Sequence, residues 1–338
     1  MIRYAGPPLP PNPRIAVIAN DAIGNFVMAT PLLQMLRWEL DPCRIHYFGG
    51  GRTRELQEAS DLFEAHSLLQ GSSAPQVRAI LDLAGTFDLL VNLESTPFSK
   101  TIAGLLAGDS GQVCGPSMGK GGRGELPYPD DPRGDLWRDK EWIAEGITSR
   151  YPFLRSGFIS EIFARLCYLE GELCPYRVPI EDPIAEIPPI LIATAASLPE
   201  KLWPLESWRA VLQDLKASKI GVGLLGAPPA QQAEHWKGAS LEDDLVMEGL
   251  VRDLRGAFSL PQVTGALSKC RAVLTLDNGI LHLAAASGTP TIGLYRHGIH
   301  RLWAPPFGNV EVMTPGEGRP VSEISPALVL ERLESRLS

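Results

Sequence analysis

Short β-branched runs alternate with helically spaced apolar stretches along most of the chain, and this alternation restricts the fold more than any other feature. Residues 14–19 form one such run, stopping at Asn20, and residues 26–40 then carry apolar side chains at helical spacing. The unit recurs. Residues 44–48 read as a strand, Gly49, Gly50 and Gly51 as a turn, and 53–59 as a helix; 75–84 read as helix, 88–93 as strand and 98–107 as a helix opened by Pro97. Strands separated by helices predict an α/β architecture with parallel sheets covered on both faces.

The alternation breaks twice. From 115 to 139, Gly119, Gly121, Gly122 and Gly124 precede Pro127, Pro129 and Pro132 among charges, which reads as a long mobile loop, either a functional lid or a surface excursion. A helical stretch follows at 158–170. Residues 175–189 are then rich in proline and acids without periodicity, and the domain boundary is placed here, giving domains 1–180 and 181–338. A chain of 338 residues exceeds the ~150 of an ordinary domain, so two domains are expected on length as well. The second half reads as strand 190–194, helix 207–217, strand 220–225, helix 260–269, strand 272–276, helix 280–287 and strand 291–294. A last helix, 325–337, opens on Ser325 and Pro326 and is available to pack back on the first domain.

A net charge of −8 argues against a protein that coats nucleic acid, which needs a surplus of Lys and Arg on one surface. Five cysteines with no CxxC pair signal neither a disulfide framework nor a zinc site, and reduced thiols are the expectation. Pro7, Pro8, Pro10, Pro11 and Pro13 stand where a secretory leader would carry its apolar core, and no stretch approaches the ~20 apolar residues of a membrane span. A cytoplasmic protein is expected, with peripheral attachment to the inner membrane left open.

The strongest local signal runs from Leu274 to Pro290: a buried strand, an Asp277-Asn278-Gly279 turn, then a small-residue helix holding His282, Ala284, Ala285 and Ala286. The start of a helix offers unpaired backbone N–H groups and a positive dipole end, which suit a diphosphate. Gly279 permits close approach, and Asp277 or Asn278 can cap the helix. A capped turn without a ligand fits the same residues.

This block resembles the C-terminal signature of the lipopolysaccharide heptosyltransferases, glycosyltransferase family 9. Two further blocks resemble the family in order and spacing: Ala193-Thr194-Ala195-Ala196-Ser197 with Lys201-Leu202-Trp203-Pro204 and Trp208, and Ala22-Ile23-Gly24-Asn25 leading to Thr30-Pro31. Asp253-Leu254-Arg255-Gly256 with Ser259 and Leu260 also suits its pattern. The resemblance implies the GT-B architecture, two Rossmann-like domains facing across a cleft, the first holding the acceptor and the second a nucleotide sugar. It implies an inverting, metal-independent transferase, with no cofactor beyond an ADP-linked donor and with a glycan or lipid-linked acceptor. On this reading Lys201 contacts a donor phosphate, Thr194 and Ser197 supply hydroxyls, and Asp277, Asn278, Gly279 and His282 border the diphosphate or nucleoside. Gly226, in Gly226-Ala227-Pro228-Pro229, marks the nucleoside loop, but the acidic ribose-binding residue often found soon afterwards is absent, with Gln231 and Gln232 nearby. Residue by residue, plainer roles stand beside these: Lys201 as a solvated charge, His282 as a core histidine, Trp203 and Trp208 as core aromatics.

One departure concerns the chemistry. The family's proton-accepting acid follows the glycine of the first loop, six residues before the Thr-Pro proline, and counting back from Pro31 that slot holds Asn25. An amide cannot act as a base at neutral pH. Asp21, or an acid from 115–139, is the expected replacement, and a protein that binds sugar nucleotide without turning it over is the rival; another GT-B transferase or an epimerase also fits. Gly119-Lys120-Gly121-Gly122-Arg123-Gly124 is no Walker loop, since no Gly-Lys-Ser/Thr follows a strand, and Gly49 to Gly51 lacks dinucleotide spacing. Nucleophile-elbow and zinc-protease motifs are missing as well. The acceptor and the oligomeric state have no signature in the chain.

Overall fold

In a computed structural model the described residues are 1–6, 8–231, 237 and 239–337. They divide into two compact units, Met1–Arg177 and Val178–Ser338.

The first unit holds a six-stranded parallel sheet in the order β1-β6-β5-β2-β3-β4. Its strands are β1 (Ile2–Arg3), β2 (Arg14–Ile18), β3 (Arg44–Gly50), β4 (Ala65–Gln70), β5 (Leu89–Asn92) and β6 (Gln112–Cys114). Between them run α1 (Ile23–Glu39), α2 (Arg54–Glu58), α3 (Ala74–Ala84) and α4 (Pro97–Ala107). The central strands are apolar because helices cover them: Ile18, Phe48, Leu90 and Val113 share one buried cluster with Ile102 and Leu106 of α4. α3 starts at a reciprocal Ser73/Gln76 capping box and α4 at Thr96, whose hydroxyl accepts the Ser99 N–H. Beyond the sheet, α5 (Pro132–Arg138), α6 (Ile147–Arg150) and α7 (Ile159–Leu166) follow, and α7 packs on α1.

Residues 115–139 are not the structureless loop expected from their glycines and prolines. Met118 and Glu125 form an antiparallel bridge, and α5 is capped by Asp131, whose Oδ1 accepts the Gly134 N–H at 2.7 Å. The Arg3 guanidinium donates to the carbonyls of Gly115, Leu126 and Pro127 and lies 4.5 Å over the Tyr128 ring, fastening the segment to the edge strand. Periodicity is blind to such ties, because they come from single side chains distant in sequence.

The second unit has a parallel sheet in the order β12-β11-β10-β7-β8-β9. Its strands are β7 (Ile190–Ala193), β8 (Val222–Leu224), β9 (Arg252–Asp253), β10 (Ala272–Leu276), β11 (Thr291–Leu294) and β12 (Val310–Met313). The described helices include α8 (Leu205–Ala217), α9 (Ala239–Met247), α10 (Leu260–Lys269), α11 (Gly279–Ser287), α12 (His300–Trp303) and α13 (Pro326–Leu337). Trp203 and Trp208 are core residues: their rings meet edge-on at 5.0 Å, and Trp203 Nε1 donates to the Ile324 carbonyl at 3.0 Å. α13 lies against α8, β10 and β11, and its Val329 and Leu333 enter that same core.

Both units are thus Rossmann-like, with the first strand of each alternation at the centre and the order reversing beside it. In such sheets ligands bind outside the carboxyl ends of the strands at the point of reversal, which is β2/β5 in the first unit and β7/β10 in the second. Among the described residues no helix is long and apolar enough to cross a membrane.

Candidate functional site

At the second reversal point, β7 and β10 run in register with Ala193 opposite Thr275, so the loops leaving them emerge side by side. Asn278 joins the two. Its Nδ2 donates to the Ala195 carbonyl at 2.9 Å, while its Oδ1 accepts the N–H groups of Ile280 and Leu281 at 3.0 and 3.3 Å. Asn278, not Asp277, is therefore the cap of α11, and two of the backbone donors expected to point at a ligand are satisfied by this side chain.

Asp277 instead pairs with Lys201. The ammonium lies 2.7 Å from Asp277 Oδ2 and donates to the Asp277 carbonyl at 3.3 Å, with side-chain exposures of 16% for Lys201 and 9% for Asp277. Lys201 is thus a held charge at the strand ends, since a solvated lysine would have neither the partner nor the burial. His282 is buried one helical turn beyond Asn278; burial, with the nearby Lys201 charge acting in the same sense and Asp277 against it, lowers its imidazole to about 4, so it is neutral at physiological pH. Ser197 and Gly279 lie at the open side of the same loops, exposed and half-buried respectively.

Thr194 faces inward. It is fully buried, and its hydroxyl donates to Glu242 Oε1 at 2.8 Å. Glu242, from α9, is raised to about 6 by burial and reaches Arg255 at 3.4 Å; Arg255 in turn is bound by Asp243 and Asp253, each at 2.9 Å. Glu242 carries no signal in the sequence, because α9 has weak apolar periodicity. Gly226 stands at the end of β8, its carbonyl accepting the Gly256 N–H at 2.9 Å. Of the two glutamines noted in the loop after it, Gln232 is outside the described residues.

At the first reversal point, β2 and β5 pair with Ile18 opposite Asn92, and the Leu93 N–H extends the ladder to the Ile18 carbonyl at 2.9 Å. The Asp21 carboxylate turns toward the β3 loop: Oδ1 accepts the Arg52 N–H at 2.8 Å, and Oδ2 lies 3.3 Å from Arg52 Nε. Gly50 has to be glycine here, because a Cβ on it would stand 2.4 Å from the Asp21 carboxyl. Asn25, in the first turn of α1, meets a carboxyl absent from the sequence-based set, that of Glu94 in the loop after β5. Asn20 is a second neighbour acting on the same carboxyl. Burial raises the Glu94 carboxyl above its ordinary value, and the neighbouring Asn20 and Asn25 work against that rise.

Comparison with known proteins agrees with this architecture. The model of glycosyltransferase family 9 (heptosyltransferase) matches residues 175–318. A lipopolysaccharide core heptosyltransferase of Haemophilus influenzae is 28% identical over 122 residues, 36% of this chain and 34% of that protein. Lipopolysaccharide heptosyltransferase 2 of Salmonella typhimurium is 26% identical over 154 residues, covering 41% of this chain and 44% of the relative. The chain thus spans less than half the length of these curated relatives. Among solved structures, a glycosyl transferase family 9 protein of Veillonella parvula superposes with a TM-score of 0.72 at 15% identity, covering 96% of this chain and 97% of its own. E. coli ADP-heptose lipopolysaccharide heptosyltransferase II gives 0.68 at 20% identity, covering 96% and 98%. The fold of the chain is accordingly that of the GT-B heptosyltransferases, and its residues 175–318 match the model of glycosyltransferase family 9 (heptosyltransferase).

Proposed function

We propose that this protein is an inverting glycosyltransferase that moves a heptose-like sugar from a nucleoside diphosphate donor, ADP-linked, to a hydroxyl of a glycan or lipid-linked acceptor. The observation that carries this reading is the Lys201 ammonium, held at 2.7 Å by Asp277 at the reversal point of the unit that matches the family. When a glycosyl–phosphate bond breaks, negative charge grows on the departing diphosphate. A fixed ammonium offsets that charge where other transferases use a metal ion. Asp277 and the Asp277 carbonyl occupy two of the three Lys201 donors and set its direction; the third remains for a phosphate oxygen. Ser197 and the Gly279 backbone border the same place, while Thr194, Glu242 and Arg255 stiffen the loops behind it.

The relatives in this family act in lipopolysaccharide assembly, and we assign this chain to the same class of chemistry, in the cytoplasm and in peripheral contact with the inner membrane where lipid-linked acceptors are found. Asn25 favours one rival, a sugar-nucleotide binder without turnover. Calorimetry with ADP and turnover of a panel of ADP-, UDP-, GDP- and TDP-sugars separate the two. Binding of ADP with release of ADP from ADP-heptose is expected; binding with no turnover of any donor leaves the non-catalytic reading, and no nucleotide binding refutes both.

A further inference from the structure

Transfer to a hydroxyl needs a group that takes the proton, and Asn25, in the slot of the family's acid, cannot. Asp21 and several acids of 115–139 are committed elsewhere. Both Asp21 oxygens serve Arg52, Glu125 binds Lys100 at 2.5 Å, and Asp131 caps α5 while accepting the Tyr168 hydroxyl at 2.6 Å. Asp139 holds Arg150 at 2.6 Å and the Tyr151 hydroxyl at 2.9 Å. Glu94 differs from these: among the described residues it has no cationic partner, it is half-buried, and Asn20 and Asn25 neighbour its carboxyl.

On the transferase reading, we propose that Glu94 is the general base of this protein, with Asn25 and Asn20 as its positioning residues. The place fits the role, since β5 lies beside β2 at the reversal point and delivers Glu94 to the start of α1. Its backbone is fixed on both sides: the Glu94 N–H donates to Asn92 Oδ1 at 3.0 Å, and its carbonyl accepts the Ser99 hydroxyl at 3.1 Å. Asn92 is itself buried and anchored to the Pro116 carbonyl at 2.6 Å. The Asn20 Oδ1 accepts the Ala22 N–H at 2.8 Å, which leaves the NH2 end of that amide as its donor. Amide donors orient a carboxylate without cancelling its charge, whereas an arginine such as the partner of Asp21 lowers its proton affinity.

Asn25 then has a reason. With an acid at 25, two carboxylates would meet and one would hold a proton; an amide there leaves Glu94 free to ionise. In the transfer step a Glu94 oxygen takes the acceptor's hydroxyl proton as the acceptor oxygen bonds to the anomeric carbon. The carbon–oxygen bond to the diphosphate breaks, its electron pair stays on the departing phosphate oxygen, and Glu94 afterwards returns the proton to solvent.

The test uses the full chain with ADP-heptose as donor probe and a heptose-free lipopolysaccharide core extract as acceptor, following ADP release, with ADP affinity by calorimetry and melting temperature as controls. Glu94→Gln is expected to slow release by about 100-fold or more, chiefly in kcat, with ADP affinity and melting temperature unchanged. Adding Asn25→Asp to Glu94→Gln restores a carboxylate one hydrogen bond away and is expected to regain about tenfold. Asp21→Asn is expected to stay within about threefold of the wild type. Release unaffected by Glu94→Gln, or a large loss confined to Asp21→Asn, overturns the assignment while leaving the transferase reading intact. Wild-type protein that binds ADP but releases none from any sugar donor overturns both.

Discussion

At the reversal point of the second sheet, charge is matched by charge: Lys201 with Asp277, and Arg255 with Glu242, Asp243 and Asp253. At the same place in the first sheet, one carboxyl neighbours two asparagines, and the nearby ion pair among the described residues, Asp21 with Arg52, points at a neighbouring loop. The sheets share the order of their five central and following strands, so the backbone does not account for the contrast. A lattice of ion pairs requires particular residues at particular positions on separate segments. A lone carboxyl can be delivered by any loop that reaches the reversal point. The family match falls on the unit locked by charge.

The comparison breaks most readily at Lys201. Lys201→Met removes the ammonium and leaves Asp277 buried and unpaired, so ADP release from ADP-heptose is expected to fall by roughly 100- to 1,000-fold, with weakened ADP binding by calorimetry. A smaller loss than that of Glu94→Gln would show that the first unit governs the chemistry.

Acid titration gives the next largest effect. Because the folded value of His282 is lowered to about 4, the stability it contributes is present above its unfolded value near 6.5 and is lost as pH falls toward 4, by about 3 kcal/mol in total. Glu242, raised to about 6, acts oppositely, its contribution being complete below the unfolded value and lost as pH rises through about 6. Urea denaturation of His282→Asn between pH 4 and 7 is expected to lack the acid-side loss, so that stability falls with rising pH where Glu242 titrates. An unchanged pH profile would show that His282 is not held neutral.

Thr194→Val sharpens the contrast at lower cost. It takes one donor from the buried Glu242, and a loss of roughly 1–3 kcal/mol is expected in chemical denaturation, with little change in ADP affinity. The smallest effect belongs to Arg52→Ala. Its half-exposed pair with Asp21 is worth about 0–1 kcal/mol, and ADP release should hardly move.

The alternation of strand and helix was legible wherever burial imposes a pattern. β10, α10, α11 and β11 fall within a residue of their sequence-based limits, because apolar strands and capped helices announce themselves locally. β4, β6, β12 and α9 escaped, being short, half-polar or without a clear apolar stripe. The site divides similarly. Lys201 and the 277–282 turn sit in blocks that can be read as strings, but the inward turn of Thr194 depends on Glu242, far along the chain. Glu94 is the clearest case, since nothing beside it in sequence hints at its partners, and only the order of strands brings it to Asn25.

Asn278 is also a mechanical link. One end of its amide grips the chain after β7 and the other grips the first turn of α11, so neither segment shifts without tugging the other. A ligand that displaces Ala195 would loosen the helix start and expose amides at the moment an anion arrives, while a ligand that leaves Ala195 in place would meet a closed latch.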